Sequence, residues 1–218
     1  MNFLDFELAK KEQLLVNIEA VRTSMNTLNM REKIKNHAIK YGRTEKEIIN
    51  KILVDDMFAE TFAIDPAKQN IYEKTAAKFI SGLEFVENFQ NLPATAKLFV
   101  KEGEITNNRN KTLKSIDFIW SHKELEFFAT HKYTGNGTGT TQKHQYVEVR
   151  DNFLMNCKNI KNPNHFFLAI LDGPYYEKFG LIEELNSSFS QKNVRVLRSI
   201  DVQSFMLEIC SSIMKKAS

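Results

Sequence analysis

The stretch Lys114–Tyr146, KSIDFIWSHKELEFFATHKYTGNGTGTTQKHQY, decides how this chain is read. Two runs rich in aromatic and β-branched residues, Ser115–Trp120 and Leu125–Tyr133, flank SHKE and predict a β-hairpin. Asp117 falls on the first strand and Lys132 on the second. Side chains alternate along a strand, so Glu126, Phe128, Thr130 and Lys132 share one face, and Phe127, Ala129 and His131 the other. With the turn at His122-Lys123, Asp117 stands opposite Phe128 and diagonal to Thr130, its carboxylate on the face of Lys132. Diagonal neighbours lie roughly 7–8 Å apart, a gap that one metal ion and its water would bridge. A carboxylate among Ile116, Phe118 and Trp120 is costly to bury unless a cation or hydrogen bonds compensate it. Lys132 offers that compensation as a plain cross-strand ion pair.

A glycine-rich turn follows, with Gly135, Gly137 and Gly139 interleaved with the hydroxyl of Thr138 and followed by Thr140 and Thr141. It leads into a helix predicted over Thr140–Lys158, and a loop entering a helix N-terminus is a natural seat for a phosphate. Gln142 and Tyr146 are one helical turn apart, on a face expected to look back toward the strand bearing Lys132.

Outward from this core, His165–Leu171 (HFFLAIL) is continuously apolar, as in a strand buried on both faces. Asp172-Gly173 then reads as a turn, with Tyr175 and Tyr176 capping the sheet edge. A helix near Leu181–Phe189, a strand Val194–Leu197 and a helix Val202–Met214 close the chain. Upstream, Leu98–Val100 predicts a strand ahead of a polar loop reaching Asn110, and Ala67–Leu83 a helix after Pro66. In the first sixty or so residues Phe6, Leu8, Leu14, Leu15, Ile18 and Val21 recur at helical spacing. Thr44 and Glu47 form a capping box before Ile48. YGRTEKEIINKIL suits part of a helix-turn-helix or a plain helical layer. The expected fold is α/β: a mixed sheet led by an antiparallel hairpin and flanked by helices (66–218), behind a helical N-terminal layer (1–65).

The 218 residues are 42% hydrophobic with 17 Phe, enough for a sizeable core. A net charge of +3 identifies no partner, but Asn107–Lys114 and Met30–Lys51 concentrate cations that suit phosphates or a solvated face. Cys157 and Cys210 read as reduced core thiols. No dinucleotide, P-loop or Ser/His/Asp signature occurs. No apolar run approaches the roughly 20 residues that span a bilayer, and a cytoplasmic protein is expected.

Asp117, Thr130-x-Lys132, the glycine-rich turn and Gln142-x3-Tyr146 together resemble the PD-(D/E)xK nucleases, most closely the type II restriction endonucleases. The resemblance spans about residues 66–200. It implies a restriction-endonuclease-like core, hydrolysis of phosphodiesters in specific double-stranded DNA sites, Mg2+ as cofactor, and a homodimer. Asp117 is then the metal-bridging carboxylate, the carbonyl of His131 a further ligand, and Glu73 a supplementary acid, though Glu73 suits a solvated helix face equally well. Lys132 orients the attacking water. Gln142, Tyr146, Thr138, Lys143, Arg109, Lys111 and Lys114 contact DNA. Thr130 departs from the pattern, since a neutral hydroxyl replaces a carboxylate at a catalytic position. Glu126 shares its face but lies roughly 13 Å away. The departure keeps two alternatives in view: a catalytically impaired DNA-binding protein on the same fold, or a structure-specific repair or recombination nuclease.

Overall fold

The computed structural model describes residues 4–93, 95–108, 110, 112–137 and 139–217, with backbone alone at 69 and 213–217. Three expected DNA-contacting residues, Arg109, Lys111 and Thr138, lie outside the described residues. The chain divides into two compact units, Asp5–Thr75 and a second running from Ala76 to the C-terminus. The division falls inside a helix rather than at Pro66.

The first unit is helical: α1 (Phe6–Thr23), α2 (Leu28–Tyr41), α3 (Glu45–Val54), α4 (Asp56–Glu60) and a 3-10 turn, Pro66–Gln69. Side-chain caps begin the helices. Asp5 accepts from Leu8 N (2.9 Å), and Thr44 and Glu47 form the reciprocal capping box at α3. Ile18, Val21, Met30, Ile34, Ile48, Ile52 and Phe62 make its core. Leu8 and Leu15 are instead half exposed, so the buried stripe of α1 is narrower than its apolar spacing suggests. Asn70 adopts the left-handed conformation and breaks the expected Ala67–Leu83 helix, which starts afresh as α5 (Ile71–Ser81).

The second unit is α/β. Its five-stranded mixed sheet has the order β1-β4-β5-β6-β7, from β1 (Glu87–Asn91), β4 (Phe118–His122), β5 (Leu125–Tyr133), β6 (His165–Asp172) and β7 (Val194–Leu197). β1–β4 and β4–β5 are antiparallel, while β5–β6 and β6–β7 are parallel. β2 (Phe99–Lys101), one residue on from the expected strand Leu98–Val100, pairs with β3 (Glu104–Thr106), which lies inside the expected polar loop, in a separate hairpin. The crossover from β5 to β6 is α6 (Thr140–Val147), a π-helical segment Glu148–Phe153 and a 3-10 turn Leu154–Cys157, not one continuous helix. α7 (Pro174–Lys178), α8 (Leu181–Ser188) and α9 (Val202–Ala217) complete the unit.

β6 is buried along almost its whole length because it is central and covered on both faces. One face packs Phe128, Phe167, Ala169 and Leu171 against Tyr146, Val149, Phe153 and Leu185. On the other, Trp120, Phe127 and Phe166 stack at 5.3 and 5.1 Å, with Phe205 of α9 edge-on to Phe127. The abundance of Phe therefore serves packing. The edge strand β7 is covered by Asn186, whose amide donates to Val196 O (2.7 Å) and accepts from Val196 N (2.9 Å). Both cysteines are free and buried, and burial pushes the Cys157 thiol up.

Candidate functional site

The β4–β5 hairpin pairs Phe118 with Ala129 and His122 with Leu125, so Lys123-Glu124 forms the turn, with Lys123 at φ 53°. The turn lies one residue later than the sequence suggests, which moves Asp117 from opposite Phe128 to beside Thr130. β4 begins at Phe118 while β5 continues to Tyr133, so the His131 N–H outlasts its backbone ladder. Asp117 takes over: its N–H donates to Ala129 O (2.8 Å), and its Oδ2 accepts from His131 N (2.8 Å) and Thr130 Oγ1 (3.0 Å). Lys114 Nζ adds a third donor to Oδ2 (3.3 Å), and Ser115 Oγ donates to Oδ1 (3.3 Å).

This arrangement corrects two expectations. Thr130 is fully buried with its hydroxyl engaged by Asp117, so it positions that carboxylate instead of standing in a ligand's place. Lys114 is buried and paired with Asp117, and is not a surface contact for DNA. Lys132 is on the expected face, but its ammonium pairs with Glu148 Oε2 at 3.2 Å, not with Asp117. Glu148 opens the π-helical segment, a local widening that often marks functional positions.

Tyr146 packs against Phe128, on the sheet face that also carries Lys132, whereas Gln142 turns toward Gly137. Tyr146 Oη donates to Glu184 Oε1 (2.8 Å) on α8, and Arg150 lies 5.7 Å from its ring centre. The Gln142 amide packs over Gly137, where an added Cβ would come within 2.2 Å of its Nε2; its buried Oε1 has no partner among the described residues. Gln145 and Glu148, three apart on the helix, reach the end of β5 instead. Gln145 Oε1 accepts from Thr134 Oγ1 (2.6 Å), which is also hydrogen-bonded to Tyr176 Oη (3.1 Å). An i, i+3 scan from Gln142 would have found this pair. Lys143 is exposed on α6.

Burial raises the Tyr146 hydroxyl from its ordinary value near 10 to about 12, with the Glu184 bond adding to the effect. Burial likewise lifts Tyr176 to about 12. Folded-state values above the unfolded ones favour the protonated tyrosines, so their stabilisation is complete below about pH 10 and is lost as pH rises toward 12. The melting temperature is therefore expected to fall across that window, and less steeply in Tyr146→Phe. A flat profile in the wild type would contradict this, as read by circular dichroism melts.

On the opposite sheet face, the His131 imidazole lies against Asp172, Nε2 to Oδ2 at 3.0 Å. Asp172 also accepts from Ser199 N (2.9 Å, to Oδ1) and Ser199 Oγ (2.5 Å, to Oδ2). All three residues are buried. Asp172 is thus more than part of a turn: it ties β5, β6 and the segment after β7 together. Gly173 (φ 103°) lets the chain leave β6 against Thr134, where a Cβ would sit 2.3 Å from Thr134 O. Tyr176 is buried, bonded to Thr134 and unavailable to a ligand.

Among the described residues, no group of three or more His, Cys, Asp or Glu side chains is placed to hold a metal ion. Glu73 is half-buried on α5 and belongs to the helical unit, whereas Asp117 belongs to the other. An octahedral Mg2+ needs only one or two carboxylates, the rest being water. Asp117 meets that minimum: Oδ2 is fixed by three donors, and the donor to Oδ1 is the rotatable hydroxyl of Ser115. This single carboxylate, with the Lys114 ammonium already on its Oδ2, does not by itself build a cage.

No protein-family model and no curated protein matches the chain. Among solved structures it is similar to the crystal structure of protein VC1899 from Vibrio cholerae, at 11% identity and a TM-score of 0.32. That match covers 94% of this chain and 53% of that one, so the chain spans about half the length of the protein it resembles. A likeness of this degree assigns neither fold nor function. No helix among the described residues is long and apolar enough to cross a membrane.

Proposed function

We propose that the α/β unit is a restriction-endonuclease-like core and that the chain is a Mg2+-dependent endonuclease acting on specific sites in double-stranded DNA. The observation that carries this reading is the convergence on one sheet face of an oriented Asp117 and the Lys132–Glu148 pair. An antiparallel hairpin, a helical crossover and a parallel strand frame that face. In this reading Asp117 would hold the ion, and Thr130 and the His131 N–H keep its carboxylate from rotating. Bound Mg2+ supplies charge neutralisation at the phosphate and a more acidic water. Lys132, aimed by Glu148, donates to a phosphate oxygen and orients the water. Glu148, held beside Lys132, is the acid we assign to the gap left at position 130. A palindromic site cut in both strands calls for a homodimer.

The pairing of Lys114 with Asp117 favours a second reading, a DNA-binding protein on the same core in which that lysine takes the cation's place. Plasmid digestion with and without Mg2+ separates the two. Discrete fragments that require Mg2+ support the nuclease; intact but gel-retarded DNA overturns it in favour of the binding protein.

Thr130→Glu probes the same gap. A second carboxylate beside Asp117 is expected to lower the melting temperature without Mg2+, through like-charge repulsion. Mg2+ should then restore several degrees through ligand linkage. A Mg2+-induced rise no larger than that of the wild type would count against a cation seat on Asp117.

A further inference from the structure

The helical unit carries a pocket of ≈ 510 Å³ that the nuclease reading does not use. Its volume is within the range of small-molecule sites. Three rings line it, with His37 centred 4.5 Å from Tyr41 and 5.4 Å from Phe58. Arg43 and Lys51 also line it. The Lys51 ammonium rests 4.7 Å over the Phe58 ring, and the Lys40 ammonium 5.1 Å over Tyr41.

The lining acid, Glu47, is already engaged. Its Oε2 accepts from Thr44 N (2.8 Å) and Thr44 Oγ1 (3.0 Å), and its Oε1 pairs with Arg43 at 3.7 Å. These bonds hold it as a carboxylate belonging to the α3 cap, so it is not a counter-charge awaiting a cationic ligand. Aromatic faces flanked by ammonium and guanidinium groups select a planar ring that carries negative charge. A quaternary ammonium would meet the cations Arg43 and Lys51, and a bare phosphate would leave the rings unused.

We propose that this pocket binds a nucleotide, with the base stacked on Tyr41 and the phosphate paired with Arg43 and Lys51. The nucleotide comes either free in solution or as an unpaired residue of a DNA strand. The proposal does not rest on the chemistry at Asp117.

The test is calorimetric titration of the full chain with deoxyadenosine monophosphate, deoxyadenosine, inorganic phosphate and a short oligothymidylate. The monophosphate or the oligonucleotide is expected to bind saturably, at least about tenfold tighter than deoxyadenosine or phosphate. Tyr41→Ala should weaken that binding about tenfold, as loss of one stacked base does, and Lys51→Gln should weaken it several-fold. Tyr41 is 55% exposed, so the melting temperature of Tyr41→Ala should stay close to wild type. Stronger binding of the oligonucleotide, displaceable by the monophosphate, identifies the strand as the source; monophosphate binding without it identifies the free nucleotide. The proposal is overturned if neither probe binds saturably, if phosphate alone binds as well, or if Tyr41→Ala and Lys51→Gln bind like the wild type.

Discussion

Lys132→Ala is expected to lower Mg2+-dependent cleavage of plasmid DNA by about a hundred- to ten-thousandfold, the range for losing a positioned proton-handling group. DNA retardation should persist. The pair it breaks is partly exposed, with the Lys132 and Glu148 side chains 26% and 39% accessible. Such pairs contribute roughly 0–1 kcal/mol, so the protein should stay folded and the loss can be read as chemistry. Glu148→Gln, which frees the lysine without removing it, should give a smaller loss. Asp117 needs a gentler substitution. Alanine there takes the counter-charge from the buried Lys114 ammonium, leaving it only Ser115, and leaves the His131 N–H and the Thr130 hydroxyl without this acceptor. Removing one partner of a buried ion pair costs about 3–5 kcal/mol. Asp117→Asn keeps an acceptor and should abolish cleavage with only a modest fall in melting temperature. Cleavage at the wild-type rate by Lys132→Ala and Asp117→Asn would sink the nuclease assignment.

The largest stability effect is expected at Asp172. Removing its carboxylate in Asp172→Ala strands the Ser199 N–H and the Ser199 hydroxyl in the interior and takes one partner from the His131 ring. Buried polar groups left unsatisfied cost about 1–3 kcal/mol each, so a total of about 3–5 kcal/mol is reasonable. For a chain of this size that lowers the melting temperature by on the order of 10 °C. Because the His131 N–H also holds Asp117 from the other side of β5, the variant links both faces of the sheet. Activity measured well below its melting point should fall more than in a core variant of equal stability. A melting temperature within about 2 °C of the wild type would show that the network is not structural.

Several elements are legible in the sequence alone because their signals are local. The Thr44–Glu47 cap, the β5 alternation and the continuously apolar β6 each depend on neighbours close in sequence. The edge strand β1 is not legible in this way. ENFQN has one large apolar residue, Phe89, which packs on Phe118 and Trp120, and a bulge interrupts its pairing. The hairpin β2–β3 leaves a readable trace in Glu102-Gly103, both at positive φ, which the polar surroundings mask. The α6 crossover carries helical periodicity, but nothing in its spacing marks where α turns give way to π turns at Glu148.

The candidate site divides along the same line. By itself the sequence singled out Asp117 and Lys132 as candidates and set Lys132 on the Thr130 face of β5, because strand alternation is a rule of covalent geometry; Asp117 falls one residue before β4. Only the tertiary structure decided their partners. A hairpin turn displaced by one residue brought Thr130 and the His131 N–H onto Asp117, Lys114 folded inward to neutralise it, and Glu148 came across from the crossover to Lys132. These contacts depend on where strands stop and where a helix changes pitch. Both are settled by packing among residues distant in sequence, which no short pattern encodes.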